Sequence, residues 1–292
     1  MRIGIAQNSY AFAELTDAES CGEHLQLVEA GLSLGLDGTF VYEHHLTSYL
    51  MSPAPLLTLA FLTGRHPTKF IGTSVLILPT HSIVRLAGQV SWLDNLSGGN
   101  LLLGLGAGRS GDEIRQLGKP DADGVEAKFA RLKHMLTGQP TGPAAAVRPM
   151  PQFDLTERIF GAGTTGLSAG IPRMRAHSPT ADSHGDVIIA PITLCHSDHE
   201  ASEMAHRDSL ADLELRSGYY GDGQTITPQS EQLIGSPSRL IDELRLLAAK
   251  QAPVAVGLEF AYGRRQPAAI AEMIALFCAE VLPFVDCLDR AT

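Results

Sequence analysis

Apolar residues along the first half of the chain form short continuous runs that alternate with longer segments of mixed polarity. A continuous apolar run is typical of a strand buried on both faces, and apolar residues three or four positions apart are typical of an amphipathic helix. These patterns predict four strand–helix pairs, at residues 2–7 and 19–34, 37–43 and 53–63, 70–78 and 83–96, and 101–105 with a helix around Phe129, Leu132 and Leu136. Such alternation predicts an α/β fold on a parallel sheet with right-handed crossovers.

The second half is less regular. Strands are predicted at 158–161, 187–194 and 254–260, and helices at 240–247 and 269–284. Residues 137–151 are rich in Gly, Pro and Ala and predict a loop, and the polar stretch 209–232 predicts an irregular, mobile excursion. Because no clear boundary interrupts the pattern, we expect a single domain over residues 1–292.

Composition narrows the classes of function. The 292 residues are 44% hydrophobic, enough for a sizeable core, and carry a formal net charge of −10. An acidic balance without a basic run argues against a nucleic-acid partner. The chain starts with a strand-like segment and has no uncharged apolar run long enough to span a bilayer, so no leader and no membrane partner are expected. Four cysteines without a C-x-x-C pair predict reduced thiols in a cytoplasmic protein.

A metal site is not expected. The cysteines have no spacing typical of zinc ligands. His196, Asp198, His199 and His206 are close in sequence, but no H-E-x-x-H pattern is present, and polar clusters are common where strands end.

The stretch TFVYEHH, residues 39–45, ends the second predicted strand with one carboxylate and two imidazoles. In barrels of alternating strands and helices, chemistry is concentrated where strands end. Glu43, His44 and His45 together offer proton donors and acceptors that small changes of environment tune near neutral pH. The alternative is a hydrogen-bonded strand end without chemistry, and the cluster alone favours neither.

Longer patterns around this cluster resemble the bacterial luciferase-like flavin monooxygenases. The matching features are Glu43-His44-His45, FIGTSVLILPTHSIVRLAGQVSWLDNLSGGNLLLGLGAG at 70–108, LIGSPSRLIDEL at 233–244 and AEVLPFV at 279–285. Each piece alone is weak, whereas the combined pattern is specific. The resemblance covers the first four strand–helix units and the carboxyl-terminal part of the chain.

The resemblance implies a TIM-type (β/α)8 barrel with reduced FMN (FMNH2) at its carboxyl-terminal mouth. In this family a separate flavin reductase usually supplies the reduced FMN. Oxygen adds to it to give a flavin C4a-peroxide, which oxidises a small or medium organic substrate, while the protein contributes orientation, electrostatics and exclusion of water. Helices matching 53–63 and 83–96 form the dimer surface in related proteins, which implies a homodimer. Trp92 is then either a core residue or a subunit contact.

The resemblance also assigns roles within the strand-end cluster. His44 matches a histidine that acts as a general acid or base near the flavin. Glu43 is expected to orient or charge the site, and His45 fits either a catalytic or a structural role. The alternative for His44 is an imidazole held by a neighbouring carboxylate such as Glu43.

Flavin contacts are expected in two further segments. Ser74 and Val75 lie where luciferases place a non-proline cis peptide against the flavin ring, although an ordinary buried strand fits the sequence equally well. Gly163, Thr164 and Thr165 match the place of the flavin phosphate, because glycine lets the backbone approach a phosphate and hydroxyls donate to its oxygens. The alternative for these three residues is a plain glycine-rich turn.

The end of the fourth strand departs from the family. Gly106 starts a Gly-Ala-Gly segment where the light-emitting members have Cys-Arg-Gly, so their phosphate-binding arginine is absent. Arg109 is near enough to substitute for it and to pair with the phosphate. A surface arginine bonded to Asp112 or Glu113 is the alternative.

The fifth and sixth units are expected to be incomplete. After residues 164–169 the family continues with a helix, a strand and another helix, whereas here Ile171 and Pro172 follow almost at once and the strand at 187–194 comes soon after. About one strand–helix unit is missing at typical element lengths. The barrel is therefore predicted to be shortened or open around its fifth to sixth strand–helix units.

The same resemblance is compatible with two other functions. The apparent deletion and the missing arginine motivate a non-catalytic binding protein for FMN or a flavin derivative. A deazaflavin-dependent oxidoreductase is the third possibility, and the paired histidines favour FMN only weakly over it. Loops set specificity in barrels, and those at 110–123 and 209–232 contain no readable motif, so the substrate is not predicted.

Overall fold

The computed structural model describes residues 1–7, 9–108, 110–118, 123–137, 147–162, 174–176, 185–220, 232–263 and 265–285. Their contacts form two compact units. The first unit comprises Met1–Phe40, Leu46–Met51 and Arg175–Thr292, and the second comprises Val41–His45 and Ser52–Met174. Strands and helices alternate along the chain, which confirms the predicted α/β class.

The elements have the following bounds. The strands are β1 (Arg2–Gln7), β2 (Gly38–Val41), β3 (Phe70–Ile77), β4 (Leu101–Gly106), β5 (Ile159–Ala162), β6 (Met174–Ala176), β7 (Val187–Leu194), β8 (Leu233–Gly235) and β9 (Ala255–Glu259). The helices are α1 (Asp17–Ser33), α2 (Pro55–Arg65), α3 (Ile83–Leu96), α4 (Gly111–Leu117), α5 (Val125–Thr137), α6 (Asp198–Tyr220), α7 (Pro237–Gln251), α8 (Pro267–Glu280) and α9 (Leu282–Val285).

Local sequence explains where several helices begin. Thr16 and Glu19 form a reciprocal capping box at the start of α1, each side chain bonding the other's backbone N–H. Helices α2, α7 and α8 begin with a proline, whose fixed φ suits the first helical turn and whose missing N–H leaves no donor unpaired there.

The strands of the first unit form a parallel sheet. β9 lies between β1 and β7, so that Val256 has Ile3 opposite it on one side and Ile188 on the other. β8 pairs with the carboxyl-terminal half of β7. Every residue of β7 and β9 is buried. Helices α6 and α8 pack against β7, and β9 is flanked by strands on both sides.

The segment Pro267–Val285 is long and apolar enough, with a mean hydropathy of 2.0, to meet the length and composition test for a membrane span. Its most apolar window is 44% buried, and α8 packs against α1, where Ile274 lies beside Gly31. These are the contacts of a core helix. Glu272 and Glu280 interrupt the segment, which is why the sequence showed no uncharged apolar run of that length.

The second unit contains three strands that pair in parallel, and a hydrophobic core. β4 lies between β3 and β5, with Leu103 opposite both Thr73 and Ile159. One hydrophobic cluster joins this sheet to the buried faces of α2, α3 and α5. Leu132 of α5, which the apolar spacing placed inward, is among its fully buried members.

The predicted shortening falls in a segment that the structure describes only in part. Between β5 and β7, the described residues include the three-residue strand β6 and no helix. Residues 163–173 and 177–184 lie outside the described residues, as do residues 138–146 of the predicted loop.

One prediction about the second half is wrong. Residues 209–232 were expected to be irregular, but α6 continues through them as far as Tyr220, and residues 221–231 lie outside the described residues. The inward positions of α6 include Ala201, Ala205, Asp208 and Asp212, spaced as on one helix face. Two of these four are carboxylates, so the helix lacks the apolar periodicity from which it could be predicted.

A buried histidine of the first unit predicts acid sensitivity. His24 on α1 is 2% exposed, stacks on Phe12 with ring centroids 4.6 Å apart, and places Nε2 2.8 Å from the Tyr10 carbonyl oxygen. Burial lowers the pKa of His24 to about 4, although the bond to Tyr10 opposes the shift. Because the unfolded imidazole titrates near 6.5, its contribution to stability is complete above about pH 6.5 and is lost as the pH falls toward about 4.

We therefore expect His24→Gln to flatten the acid limb of the stability curve. In urea unfolding at a series of pH values, the wild-type free energy of unfolding should fall below pH 6.5 more steeply than that of the variant, by up to about 1 kcal/mol per pH unit. The exposed His134 on α5 provides the matched control, His134→Gln. Parallel acid limbs in wild type and His24→Gln would show that His24 is not the group responsible.

Candidate active site

The carboxyl-terminal ends of three strands of the second unit lie side by side. Ile77 at the end of β3 is opposite Gly106 at the end of β4, and Gly106 is opposite Ala162 at the end of β5. Glu43, two residues after β2, joins the same edge, because its Oε2 accepts a 2.6 Å hydrogen bond from the Ile77 N–H. The polar side chains that follow the strands are thereby held along one edge of the sheet.

Glu43 is the centre of the polar cluster. It is 3% exposed, and its Oε1 lies 2.9 Å from His45 Nε2 and 2.8 Å from His81 Nε2. Burial on its own would raise the pKa of Glu43, but the hydrogen bonds from His45, His81 and the Ile77 N–H outweigh burial and lower it. Glu43 is therefore ionised at neutral pH. The bond to Glu43 in turn raises the pKa of His45.

A second buried carboxylate faces the other histidine. Glu113 lies in the first turn of α4, where the Ser110 hydroxyl caps the helix by accepting from the Glu113 N–H. Glu113 Oε1 accepts the backbone N–H of His45 at 2.5 Å, and its Oε2 lies 3.7 Å from His44 Nδ1. The His44 backbone N–H donates to the Ser52 carbonyl oxygen at 3.0 Å. His44 and His45 are thus set against different carboxylates.

A buried lysine holds the turn that carries His81. Lys128 of α5 is 1% exposed, and its ammonium donates to the carbonyl oxygens of Leu78, Pro79 and His81 at 3.3, 3.0 and 3.1 Å. Residues Leu78–Thr80 form a 3-10 turn directly after β3. The bonds from Lys128 give these carbonyl groups a donor and fix the backbone within and directly after the turn.

The middle of β3 differs from the rest of that strand. The peptide bond between Ser74 and Val75 is cis, as in the family that the sequence resembles, and the pairing with β4 shifts register between Thr73 and Leu76. Ser74 and Val75 are partly exposed, while the other residues of β3 are buried. A Cβ atom on Gly106 would lie 2.7 Å from Val75 Cγ2, so this close approach of the two strands requires glycine.

The structure brings together the residues predicted for catalysis. Glu43, His44 and His45 lie at one strand edge, and Gly106 ends the neighbouring β4. Arg109, Gly163, Thr164 and Thr165 lie outside the described residues, so their assignment to the flavin phosphate stays a prediction. Asp112 pairs with Arg115 on the surface of α4.

Three residues of the cluster were not identified from the sequence. His81 follows the end of β3 as Glu43 follows the end of β2. Because chemistry in barrels is concentrated where strands end, the same signal that identified Glu43 could have identified His81. Glu113 stands three residues after the cap Ser110, a spacing that marks a helix start. Lys128 gave no such signal, because a lysine beside apolar helix positions is ordinarily exposed.

The histidines near the start of α6 do not form a comparable cluster. His199 Nε2 lies 3.6 Å from Glu203 on the exposed face of the helix, and Asp198 accepts the Ser236 N–H at 2.7 Å. Among the described residues, no group of three His, Cys, Asp or Glu side chains is arranged to hold a metal ion.

Comparison with known proteins places this site in a family context. The family model described as luciferase-like monooxygenase matches residues 1–136. The 4-hydroxyprotoasukamycin monooxygenase of Streptomyces nodosus subsp. asukaensis is 33% identical over 131 residues, which are 45% of this chain and 35% of that protein. The alkanal monooxygenase alpha chain of the Kryptophanaron alfredi symbiont is 29% identical over 118 residues, 40% of this chain and 33% of that protein. The match spans about a third of the length of these relatives.

Solved structures show the fold over nearly the whole chain. The monooxygenase RslO1 from Streptomyces bottropensis has a TM-score of 0.77 at 20% identity, covering 97% of this chain and 99% of that one. The oxygenating constituent of 3,6-diketocamphane monooxygenase from Pseudomonas putida, solved in complex with FMN, has a TM-score of 0.64 at 15% identity, covering 97% and 98%. An F420-dependent secondary alcohol dehydrogenase has a TM-score of 0.68 at 12% identity, covering 97% and 98%. The predicted TIM-type α/β fold is confirmed.

Proposed function

We propose that the chain, whose residues 1–136 match the luciferase-like monooxygenase family, is a flavin-dependent monooxygenase of that family. It would use reduced FMN and O2 to oxidise a small or medium organic substrate. The observation that carries this proposal is the pairing of His44 and His45 with two separate buried carboxylates, Glu113 and Glu43, at one strand edge. Imidazoles placed beside buried carboxylates are suited to acid–base chemistry.

The residues present fit a flavin. Ser74 and Val75 are partly exposed in the middle of an otherwise buried strand, against which a flat ring can lie. Beyond Gly106, the partly exposed Ala107 and Gly108 have small or absent side chains, so a ligand can approach the backbone closely. The predicted phosphate contacts come from Arg109 and residues 163–165. Reduced FMN, when bound, supplies the two electrons that reduce O2.

His44 is the proposed general acid or base. Its Nδ1 faces Glu113 at 3.7 Å, so Nε2, the other ring nitrogen, is the atom proposed to exchange a proton with the ligand. The bond from the His44 N–H to the Ser52 carbonyl fixes the backbone that carries the ring. Glu113 holds the ring orientation and stabilises the charge that appears when Nε2 takes up a proton.

Partners and location follow from the same proposal. We propose a cytoplasmic location, where a separate flavin reductase would supply reduced FMN. Cys21 and Cys195 are free thiols, which fits that compartment. We also propose that residues 1–292 act as one functional domain. Nothing in the described residues selects one organic substrate over another.

We further propose a homodimer formed through α2 and α3. Both helices expose apolar side chains at spacings of four: Leu57 (73%) and Phe61 (49%) on α2, and Val84 (55%), Trp92 (59%) and Leu96 (53%) on α3. Gly88 lies between Val84 and Trp92 in the same row, with open space at its Cβ position. An exposed apolar surface of this kind is typical of a subunit contact. Trp92 is therefore not a core residue.

Trp92→Glu is expected to weaken this dimer. Burying a charge in place of a central tryptophan should raise the dimer Kd at least about 30-fold, equal to the ~2 kcal/mol of an interface hot spot. Sedimentation velocity over a range of concentrations measures the change. Leu246→Glu, at a 52% exposed leucine of α7, is the matched control. A wild-type protein that is monomeric at all concentrations, or a Trp92→Glu variant as dimeric as wild type, would contradict the proposal.

Anaerobic titration with photoreduced FMN tests the flavin assignment directly. Parallel titrations with reduced riboflavin, which lacks the phosphate, and with a reduced deazaflavin separate the alternatives. We expect reduced FMN to bind most tightly. Preference for the deazaflavin would favour the deazaflavin-dependent oxidoreductase. Equal binding of FMN and riboflavin would show that Arg109 and residues 163–165 do not bind the flavin phosphate. No binding of any flavin would contradict the proposal as a whole.

A further inference from the structure

One carboxylate of the site is shared between two imidazoles. Glu43 Oε1 lies 2.9 Å from Nε2 of His45 and 2.8 Å from Nε2 of His81, and His81 Nε2 is also 2.9 Å from Oε2. The carboxylate is almost fully buried, with 1% of the side chain exposed, whereas the His45 and His81 side chains are 17% and 23% exposed. Both rings thus contact the same buried charge and remain partly exposed.

The shared contact fixes where the hydrogens lie. An ionised carboxylate only accepts hydrogen bonds. Because both rings approach Glu43 through Nε2, each Nε2 carries a hydrogen and donates it. The ring atom that gains or loses a proton is therefore Nδ1 in both histidines. A third donor, the Ile77 N–H, occupies Oε2, so Glu43 remains an acceptor whichever ring is charged.

We propose that Glu43, His45 and His81 form one proton-holding unit, in which His81 is a second proton donor of the site and Lys128 is its positioning residue. Two imidazolium ions beside one carboxylate repel each other, so protonation of one ring disfavours protonation of the other. The unit then holds one proton that either ring can carry. Among the described residues, the charged groups that contact its backbone include Glu113, on the His45 side, and the Lys128 ammonium, behind the His81 backbone.

The inference deepens the proposed function and rests on it at one point, the identity of the proton acceptor. In that reaction the proton leaves Nδ1 of a charged ring and bonds to an anionic oxygen of the bound ligand. The N–H electron pair stays on the ring, which becomes neutral and keeps its Nε2–H bond to Glu43. His44, set against Glu113, is then not the single proton carrier of the site.

Lys128 acts on this unit through the backbone. Its ammonium donates to the carbonyl oxygens of Leu78 and Pro79, within the turn, and of His81, directly after it. That turn places the His81 ring on Glu43. Burying an ammonium costs free energy unless it is fully hydrogen-bonded, so these bonds hold the turn tightly. Lys128 is a positioning residue and is not expected to touch the ligand.

Nitrogen-15 NMR titration of the histidine rings tests the unit without any substrate or flavin. In wild type, the neutral rings of His45 and His81 should both be the tautomer that carries its hydrogen on Nε2. The variant His81→Phe keeps a ring at position 81 but cannot donate a hydrogen bond to Glu43. His45 is then the one imidazole paired with Glu43, and its titration midpoint should move to higher pH. The variant His81→Gln can donate a hydrogen bond to Glu43 but cannot become charged, and it should move the His45 midpoint in the same direction. It replaces His81→Phe in the experiment if that variant misfolds. An unchanged His45 midpoint in a folded variant overturns the proposal.

A double-mutant cycle tests Lys128. In the wild-type background, Lys128→Met should move the His45 midpoint to higher pH, as His81→Phe does. In the His81→Phe background it should cause little further change, because Lys128 acts through His81. Lys133→Met on the same helix is the control. Equal shifts by Lys128→Met in both backgrounds would overturn the positioning role. If the two rings titrate as a coupled pair but the protein binds no flavin, the proton-holding unit is supported and the proposed function is rejected.

Discussion

Replacing His44 by alanine is expected to lower the turnover of the proposed monooxygenation by about 10²- to 10⁴-fold, the contribution typical of a general acid or base. Nδ1 of the ring lies 3.7 Å from Glu113, and a backbone bond to Ser52 fixes the residue that carries the ring, so its loss removes a pre-positioned proton carrier. Binding of reduced FMN should change little, because a proton-transfer role is separate from affinity. Turnover is measured as oxidised product per flavin under excess reduced FMN.

The control separates chemistry from folding. His134→Ala removes an exposed histidine of α5 and should leave turnover at the wild-type level. A His44→Ala variant that binds flavin and turns over at the wild-type rate would show that His44 is a strand-end residue without chemistry. If no variant and no wild-type preparation forms product while flavin binds tightly, the protein is the non-catalytic flavin binder that the sequence left open.

Removing the Asp208 carboxylate should cause the largest loss of stability, about 3–5 kcal/mol in the free energy of unfolding. Asp208 and Arg265 form an ion pair in the first unit, with Oδ2 and Nε 2.8 Å apart, and they are 3% and 6% exposed. The guanidinium also donates to the carbonyl oxygens of Ile192 and Phe260 at 2.6 and 2.8 Å. Asp208→Ala leaves a positive charge buried without its counter-ion, which is why the expected cost is large.

Urea unfolding measures this cost, and the exposed Glu203 on the same helix provides the control, with Glu203→Ala expected to stay within about 0.5 kcal/mol of wild type. The pair Asp208→Leu with Arg265→Met should be less destabilising than Asp208→Ala alone, because replacing both charges leaves neither unpaired. A cost below about 1 kcal/mol for Asp208→Ala would mean that water or a rearranged side chain reaches Arg265.

Most of the fold could be predicted because its core is apolar. The helix Ile83–Leu96 and the strand Val187–Leu194 have the predicted bounds, and the other predicted elements of the first half differ from the observed ones by a few residues. In these segments burial and apolar pattern coincide. In α6 they do not, since Asp208 and Asp212 face inward and are bonded there by Arg265, Arg216 and Tyr10. A polar inward face cannot be recognised without its partners, and two of these, Arg265 and Tyr10, lie far away in the sequence.

The candidate site could be predicted in part for a related reason. Glu43, His44 and His45 are adjacent in sequence and end a strand, so one local pattern identifies all three. His81, Glu113 and the buried Lys128 join them only when the strand edge assembles. The contact of His81 with Glu43 joins residues 38 positions apart and depends on how β3 ends, which no local pattern specifies.

Incorporation of oxygen from O2 into an organic product tests the central claim most directly. The protein, reduced FMN and oxygen-18 gas would be incubated with a panel of aldehydes, ketones and aromatic substrates, and products examined by mass spectrometry, with hydrogen peroxide quantified in parallel. A monooxygenase places one labelled atom in the product and the other in water. Complete recovery of the label as hydrogen peroxide and water across the whole panel, with reduced FMN bound, would contradict the assignment.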